Sequence, residues 1–172
     1  MTDFQQKINL NPARGWHGDF SSTNPRTTVV DTRAIGGGDV AMAGAQGVLT
    51  GSFVWFDKTT RTYNNTGTGS PIGFVGREII GTNYGRDLCS RLLPAGTMLT
   101  VYQSAGFIVN VPDAATPEYG DSVYASTKTG EIVDKSDVDS VQTSYRYEQA
   151  KGDDGMAAIS VFNFIDTSTK GA

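Results

Sequence analysis

Apolar and β-branched residues in this chain fall in short runs separated by glycine-marked turns, a rhythm that predicts strands rather than helices. Residues 27–33 (TTVVDTR) read as a first strand. Residues 34–51 are rich in Gly and Ala, with Val40, Met42, Val48 and Leu49 interspersed. Each interior glycine disfavours a helix by about 1 kcal/mol relative to Ala, so turn, short strand, turn is expected there. Residues 52–57 (SFVWFD) are strongly apolar, too short for a helix and rich in strand formers. Residues 59–69 form a polar, hairpin-like stretch. Residues 72–80 suit a strand pair, or one strand with a bulge at Gly76.

The second half signals more clearly. Pro94, Ala95 and Gly96 make a turn. Residues 97–103 alternate as a half-buried strand does, with Met98, Thr100 and Tyr102 on one side and Leu99 and Val101 on the other. Residues 107–111 (FIVNV) form the next strand. Residues 122–126 and 131–134 make a hairpin through Lys128, Thr129 and Gly130. Val141, Thr143, Tyr145 and Tyr147 share one face of a further strand, and 158–165 (AISVFNFI) closes the series. The one helix-compatible stretch is 84–93, interrupted by Gly85 and stopped by Pro94. About nine to twelve short strands at near-regular spacing predict an all-β sandwich or barrel. Before them, Asn11-Pro12 and Asn24-Pro25 push the chain into extended conformations. The organisation expected is an extended N-terminal arm over 1–26 and a β-sandwich domain over 27–172.

A chain of 172 residues is large enough to bury a core without disulfides or metals. Aromatic residues at 10% are too many for a disordered chain. Lys and Arg number 14 against 18 Asp and Glu, and the cations are not clustered, so no nucleic-acid partner is expected. No apolar run approaches the roughly 20 residues that cross a bilayer, and residues 1–10 do not resemble a signal peptide. Synthesis in the cytoplasm is expected, with no membrane partner. Cys89 is the single cysteine and has no disulfide partner in the chain.

Candidate chemistry is sparse. Gly36 to Ala41 fits a loose dinucleotide-binding pattern, but Gly44 and Gly47 weaken the helix that the phosphates require. His17 is the only histidine and lies in the arm, a poor scaffold for a catalytic base. Asp137 and Asp139 start like a calcium loop that is not completed, and Asp153 and Asp154 suit a hairpin turn. Glu78, Glu118, Glu131 and Glu148 show no spacing that selects an acid pair. No catalytic residue, metal or cofactor is expected. Most aromatics belong to the core. Trp16 and Phe20, in a polar arm without a local core, read instead as anchors for a partner's pocket.

Several motifs, in order, resemble the structural cement (capsid decoration) proteins of tailed bacteriophages. Gly18-Asp19-Phe20 leads to Asn24-Pro25-Arg26. Gly73-Phe74-Val75-Gly76-Arg77-Glu78 follows a Gly-rich segment and the aromatic strand over 48–57. Leu93-Pro94-Ala95-Gly96 opens a strand pair that ends at Gly106-Phe107-Ile108-Val109. Gly120 to Ala125 is similar to a Gly-x-x-Val-Tyr-Ala strand, and Gly155 to Ser160 to the closing strand. Two departures stand out: Val161 to Ile165 replaces a Ser-Thr-Trp ending, and 134–144 is longer and more acidic. The resemblance implies a jelly-roll-like β-sandwich, not an enzyme, sitting on the outer surface of the capsid. It implies the major capsid protein as partner, and self-association as a homodimer or homotrimer. On this reading the arm carries the partner interface, at Arg14, Trp16, Phe20, Asn24 and Arg26. A carbohydrate-binding β-sandwich of a virion or tail component is the alternative.

Overall fold

A computed structural model describes residues 15–29, 41–77 and 91–161. Arg14, Glu78, Cys89, residues 36–40 of the glycine-rich motif, 84–90 of the helix-compatible stretch and 162–165 of the closing run lie outside the described residues. Within them the chain is all-β, with twelve strands and no helix. These are β1 (Thr27–Thr28), β2 (Val48–Leu49), β3 (Ser52–Asp57), β4 (Thr62–Asn64), β5 (Gly73–Val75), β6 (Leu92–Leu93), β7 (Tyr102–Ser104), β8 (Phe107–Asn110), β9 (Ser122–Ser126), β10 (Ile132–Val133), β11 (Ser140–Tyr147) and β12 (Met156–Ser160). They form two five-stranded antiparallel sheets, ordered β1-β7-β5-β3-β4 and β10-β9-β11-β12-β8, and a small β2-β6 pair. This is an all-β sandwich, as the strand rhythm predicts, and it is consistent with the jelly-roll-like form that the resemblance implies.

The main core lies between the two large sheets. Phe53, Phe74 and Tyr102 from one sheet meet Phe107, Val123, Tyr145 and Ile159 from the other. The rings interlock edge to face and tilted: Phe53 to Phe74 at 5.0 Å, Phe53 to Tyr145 at 5.4 Å, and Phe74 to Phe107 at 4.5 Å. Such pairs add about 0.5–1.5 kcal/mol each beyond the area they bury. The Tyr145 hydroxyl donates to the Tyr102 carbonyl at 3.3 Å, which satisfies the polar tip inside the core.

A second, smaller cluster covers the opposite face of the first sheet. It gathers Val54 and Val75 with Val48, Tyr63, Leu93, Leu99 and Val101. The β3 strand is therefore buried on both faces, Phe53 and Trp55 toward one cluster and Val54 and Phe56 toward the other. That explains its unbroken apolar run, where a one-sided strand would alternate.

Two sequence expectations change. Leu92 and Leu93, at the end of the helix-compatible stretch, are strand β6, paired with Leu49 and Val48. Leu93 is needed in the second cluster, and a strand delivers it there. Residues 97–103 are not one continuous strand: Met98 makes an isolated bridge to Met42, and regular pairing resumes at Tyr102. Leu99 and Val101 do share a face, buried in the small cluster. On the opposite face the chain passes from solvent, at Met98, to the main core, at Tyr102.

The hairpin joining β9 to β10, the clean alternation of β11 and the turn at 152–155 are as predicted. Gly130 in that hairpin has φ of +70° and its carbonyl accepts from the Phe53 N–H at 2.7 Å. The turn thus docks directly on β3, and a side chain at 130 would run into the Phe53 carbonyl.

Candidate partner interface

Strand β8 is the edge of its sheet, and an open edge invites unwanted pairing. Residues 18–21 cover it. Gly18 N–H donates to Ile108 O at 2.7 Å, Ile108 N–H to Asp19 O at 2.8 Å, and Ser21 N–H to Gly106 O at 3.0 Å. The next acceptor is a side chain: Nδ1 of His17 takes the Asn110 N–H at 2.8 Å. Gly18 also accepts from Arg77 N–H at 2.7 Å, just beyond β5. One residue therefore bonds to both sheets at once. Its φ is +90°, and a Cβ there would lie 3.1 Å from Arg77 N and from Gly51 Cα. Only glycine suits both demands. The Gly-Asp-Phe and Gly-Arg-Glu motifs, distant in sequence, meet at this point.

Phe20 is not free for a partner. It pairs with Phe107 as a β-bridge, stacks on the Phe107 ring at 5.2 Å, and meets Tyr102 edge-on at 5.3 Å. The Arg26 guanidinium carbon lies 3.4 Å from the centre of the Phe20 ring, on which it makes a cation–π contact. The expectation that Phe20 has no core to join is thus corrected: its core comes from strands far along the chain, whose approach the local sequence does not show. The described part of the arm, 15–26, lies against the sandwich.

Trp16 is different. It is 70% exposed, yet its backbone is fixed. Asp19 Oδ2 accepts from Trp16 N–H at 2.8 Å, while Asp19 N–H donates to Trp16 O at 2.9 Å. Arg77 reaches Asp19 Oδ1 at 3.5 Å, and its guanidinium carbon lies 5.4 Å from the indole centre. The indole is held on a rigid turn and open to solvent. Asn24 is exposed, with its N–H on Ser22 Oγ at 3.4 Å. The structure therefore brings Arg26 to Phe20, and leaves Trp16 and Asn24 on the surface. Asp19 and Arg77 were not among the sequence candidates. The signal for them was present, since both belong to the ordered motifs of the resemblance.

His17 is half-buried between β8 and the turn at Gly51, with the Gly51 carbonyl as its second partner. Burial first, and then the positive charge of Arg91, lower its pKa from 6.5 to about 4. A neutral imidazole that only accepts and donates structural hydrogen bonds is a strut. Asp139 is tied to Lys128 at 2.6 Å, and Asp154 Oδ1 accepts from Met156 N–H at 3.0 Å in its turn. Among the described residues no group of three or more His, Cys, Asp or Glu is placed to hold a metal ion.

Comparison with known proteins finds both a family and a fold that this chain resembles. A family model described as XM1 gp53 minor capsid protein matches residues 4–161. A chain in the solved capsid of Myoviridae phage XM1 is similar in fold, with a TM-score of 0.63 and 15% identity; the match covers 95% of this chain and 100% of that one. No curated protein matches.

Proposed function

The chain belongs to the XM1 gp53 minor capsid protein family, a structural component of the phage virion, and from that premise we propose that it acts as a cement subunit. It attaches to the outer surface of the assembled head and stabilises contacts between major capsid protein subunits. Attachment to the assembled shell but not to free coat protein adds stability by linkage. A homodimer or homotrimer that touches several coat subunits at once gains avidity without new contacts.

The observation that carries this reading is Trp16. A large, exposed aromatic on a turn fixed by Asp19 and Arg77 is the form that an interface anchor takes before binding. Its backbone is already fixed in the free subunit, which limits the conformational freedom lost on attachment. Asn24 lies exposed further along the same segment, and Arg14 precedes it in sequence.

The test is co-sedimentation of the purified protein with undecorated, expanded capsids, with free coat protein as control. Saturable binding to assembled shells alone, at fixed copy number, is expected. Trp16→Ala is expected to weaken it by about tenfold or more, the scale of an interface anchor. Deleting residues 1–24 is not a clean test, because Gly18 and Phe20 belong to the fold. Absence of wild-type binding to any shell would overturn the proposal.

A further inference from the structure

Strands β9, β10 and β11 open onto a pocket of about 330 Å³. Tyr147 from β11 and Tyr124 from β9 line it, together with Ala115 and Pro117 of the preceding loop. Asp121 and Asp134 contribute carboxylates, and Lys135 is the one cation in the lining.

Among the described residues, local hydrogen bonds reach one oxygen of each carboxylate. Asp121 Oδ2 accepts from Glu118 N–H at 2.8 Å. Asp134 Oδ1 accepts from Ser136 N–H at 2.9 Å and from Ser136 Oγ at 2.7 Å. These bonds lower the pKa of Asp134 further, so it is ionised at neutral pH. Tyr147 is the decisive group. The residue is only 4% exposed, and its side chain lines the pocket. Burial, and then the negative charges of Asp134 and Asp121, push its pKa up to about 12. A protonated phenol open to the pocket, in the field of two carboxylates, is a polar position that an incoming donor can fill.

We infer that this pocket receives a cationic side chain, an arginine guanidinium presented by a neighbouring capsid chain. The inference rests on the capsid role proposed above for its source, but not for its chemistry. An anion is disfavoured by Asp121 and Asp134. A planar guanidinium has donors enough for two carboxylate oxygens and a phenol oxygen together, and its face suits an aromatic wall such as Tyr124. An ammonium offers only a point charge.

The chemistry is tested on the isolated, ¹⁵N-labelled protein by titration with Nα-acetyl-arginine N-methylamide, followed by NMR. Saturable shifts at the amides of Asp121, Ser122, Asp134 and Tyr147 are expected, at a Kd of about 1–10 mM, the range of a single side chain. The neutral citrulline analogue should produce none. The double variant Asp121→Asn/Asp134→Asn keeps an oxygen acceptor at each position while removing charge, and should bind at least tenfold more weakly. No saturable shift with the arginine analogue, equal shifts with citrulline, or shifts at these amides with a methyl glycoside instead would overturn the assignment.

The source is tested by co-sedimentation of the same double variant. A tenfold or greater loss of attachment supports a neighbouring chain. Attachment equal to wild type, with arginine binding still impaired, would overturn that source in favour of a free cation such as a polyamine. Failure of the wild type to attach would sink the cement reading, while the titration would still decide the pocket.

Discussion

The imidazole Nδ1 of His17 accepts the Asn110 N–H at 2.8 Å, so a side chain occupies the place of a backbone acceptor at the end of the β8 edge. The bond exists only while the ring is neutral. Burial, followed by the charge of Arg91, holds the folded pKa at about 4, below its ordinary value of 6.5. The unfolded chain therefore binds the proton more readily. The stabilisation is complete above pH 6.5, declines as pH falls through the interval, and is gone below about 4. The depressed pKa corresponds to a loss on the order of 3 kcal/mol across that window. Urea denaturation at pH 7.5, 5.5 and 4.5 should show the decline. His17→Asn keeps an acceptor without a titrating group and should flatten it; an identical slope in the variant would refute the strut.

Gly18→Ala should destabilise the protein by about 1–3 kcal/mol, from positive φ together with the crowding against Arg77 and Gly51. Gly96 has a similar φ of +74° but open space around it, so Gly96→Ala carries the backbone strain alone. Thermal denaturation of both variants separates the two contributions. A smaller loss at Gly18 than at Gly96 would contradict the two-sheet junction.

Phe20 and Trp16 should separate stability from binding. Phe20→Ala removes a ring packed on Phe107 and Tyr102, and should cost the free subunit about 2–4 kcal/mol. Trp16→Ala removes an exposed ring and should change free-subunit stability by no more than about 0.5 kcal/mol. Denaturation midpoints measured without capsid give both values. The opposite ranking would mean that the two aromatics had been assigned the wrong roles.

The contrast between these aromatics marks what was legible in the sequence. Alternation at Val141, Thr143, Tyr145 and Tyr147 gave the face of β11, because one side of that strand meets the core and the other meets solvent. The apolar run at 52–57 indicated a strand but not that both of its faces are covered, since the second cluster draws Leu93 and Leu99 from a distant part of the chain. Phe20 and Trp16 looked alike for the same reason. Only the arrival of β7 and β8 distinguishes a ring with a core from a ring without one. The pocket was illegible too: Asp121, Asp134 and Tyr147 come from separate elements, and their approach is a matter of sheet order.

Two buried hydroxyls of this sandwich should respond in opposite directions to removal. Between Gln142 and Arg146 the pairing of β11 with β9 is irregular, and Thr143 fills the gap. Its Oγ1 donates to Val123 O at 2.9 Å and accepts from Tyr145 N–H at 3.1 Å. Thr143→Val preserves shape but strands a carbonyl and an N–H inside the core, and should cost about 1–3 kcal/mol. Ser52 Oγ, on the doubly covered β3, is fully buried and has no hydrogen-bond partner among the described residues. Its hydroxyl lost water on folding and regained nothing, so Ser52→Ala should be neutral or stabilising by up to about 1 kcal/mol. Urea denaturation of the two single variants, with equal m-values as the check on a common unfolded state, measures the sign of each. A large loss at Ser52 would reveal a polar role for that hydroxyl, and a silent Thr143→Val would mean that the irregularity in β11 is held by packing rather than by its hydrogen bonds.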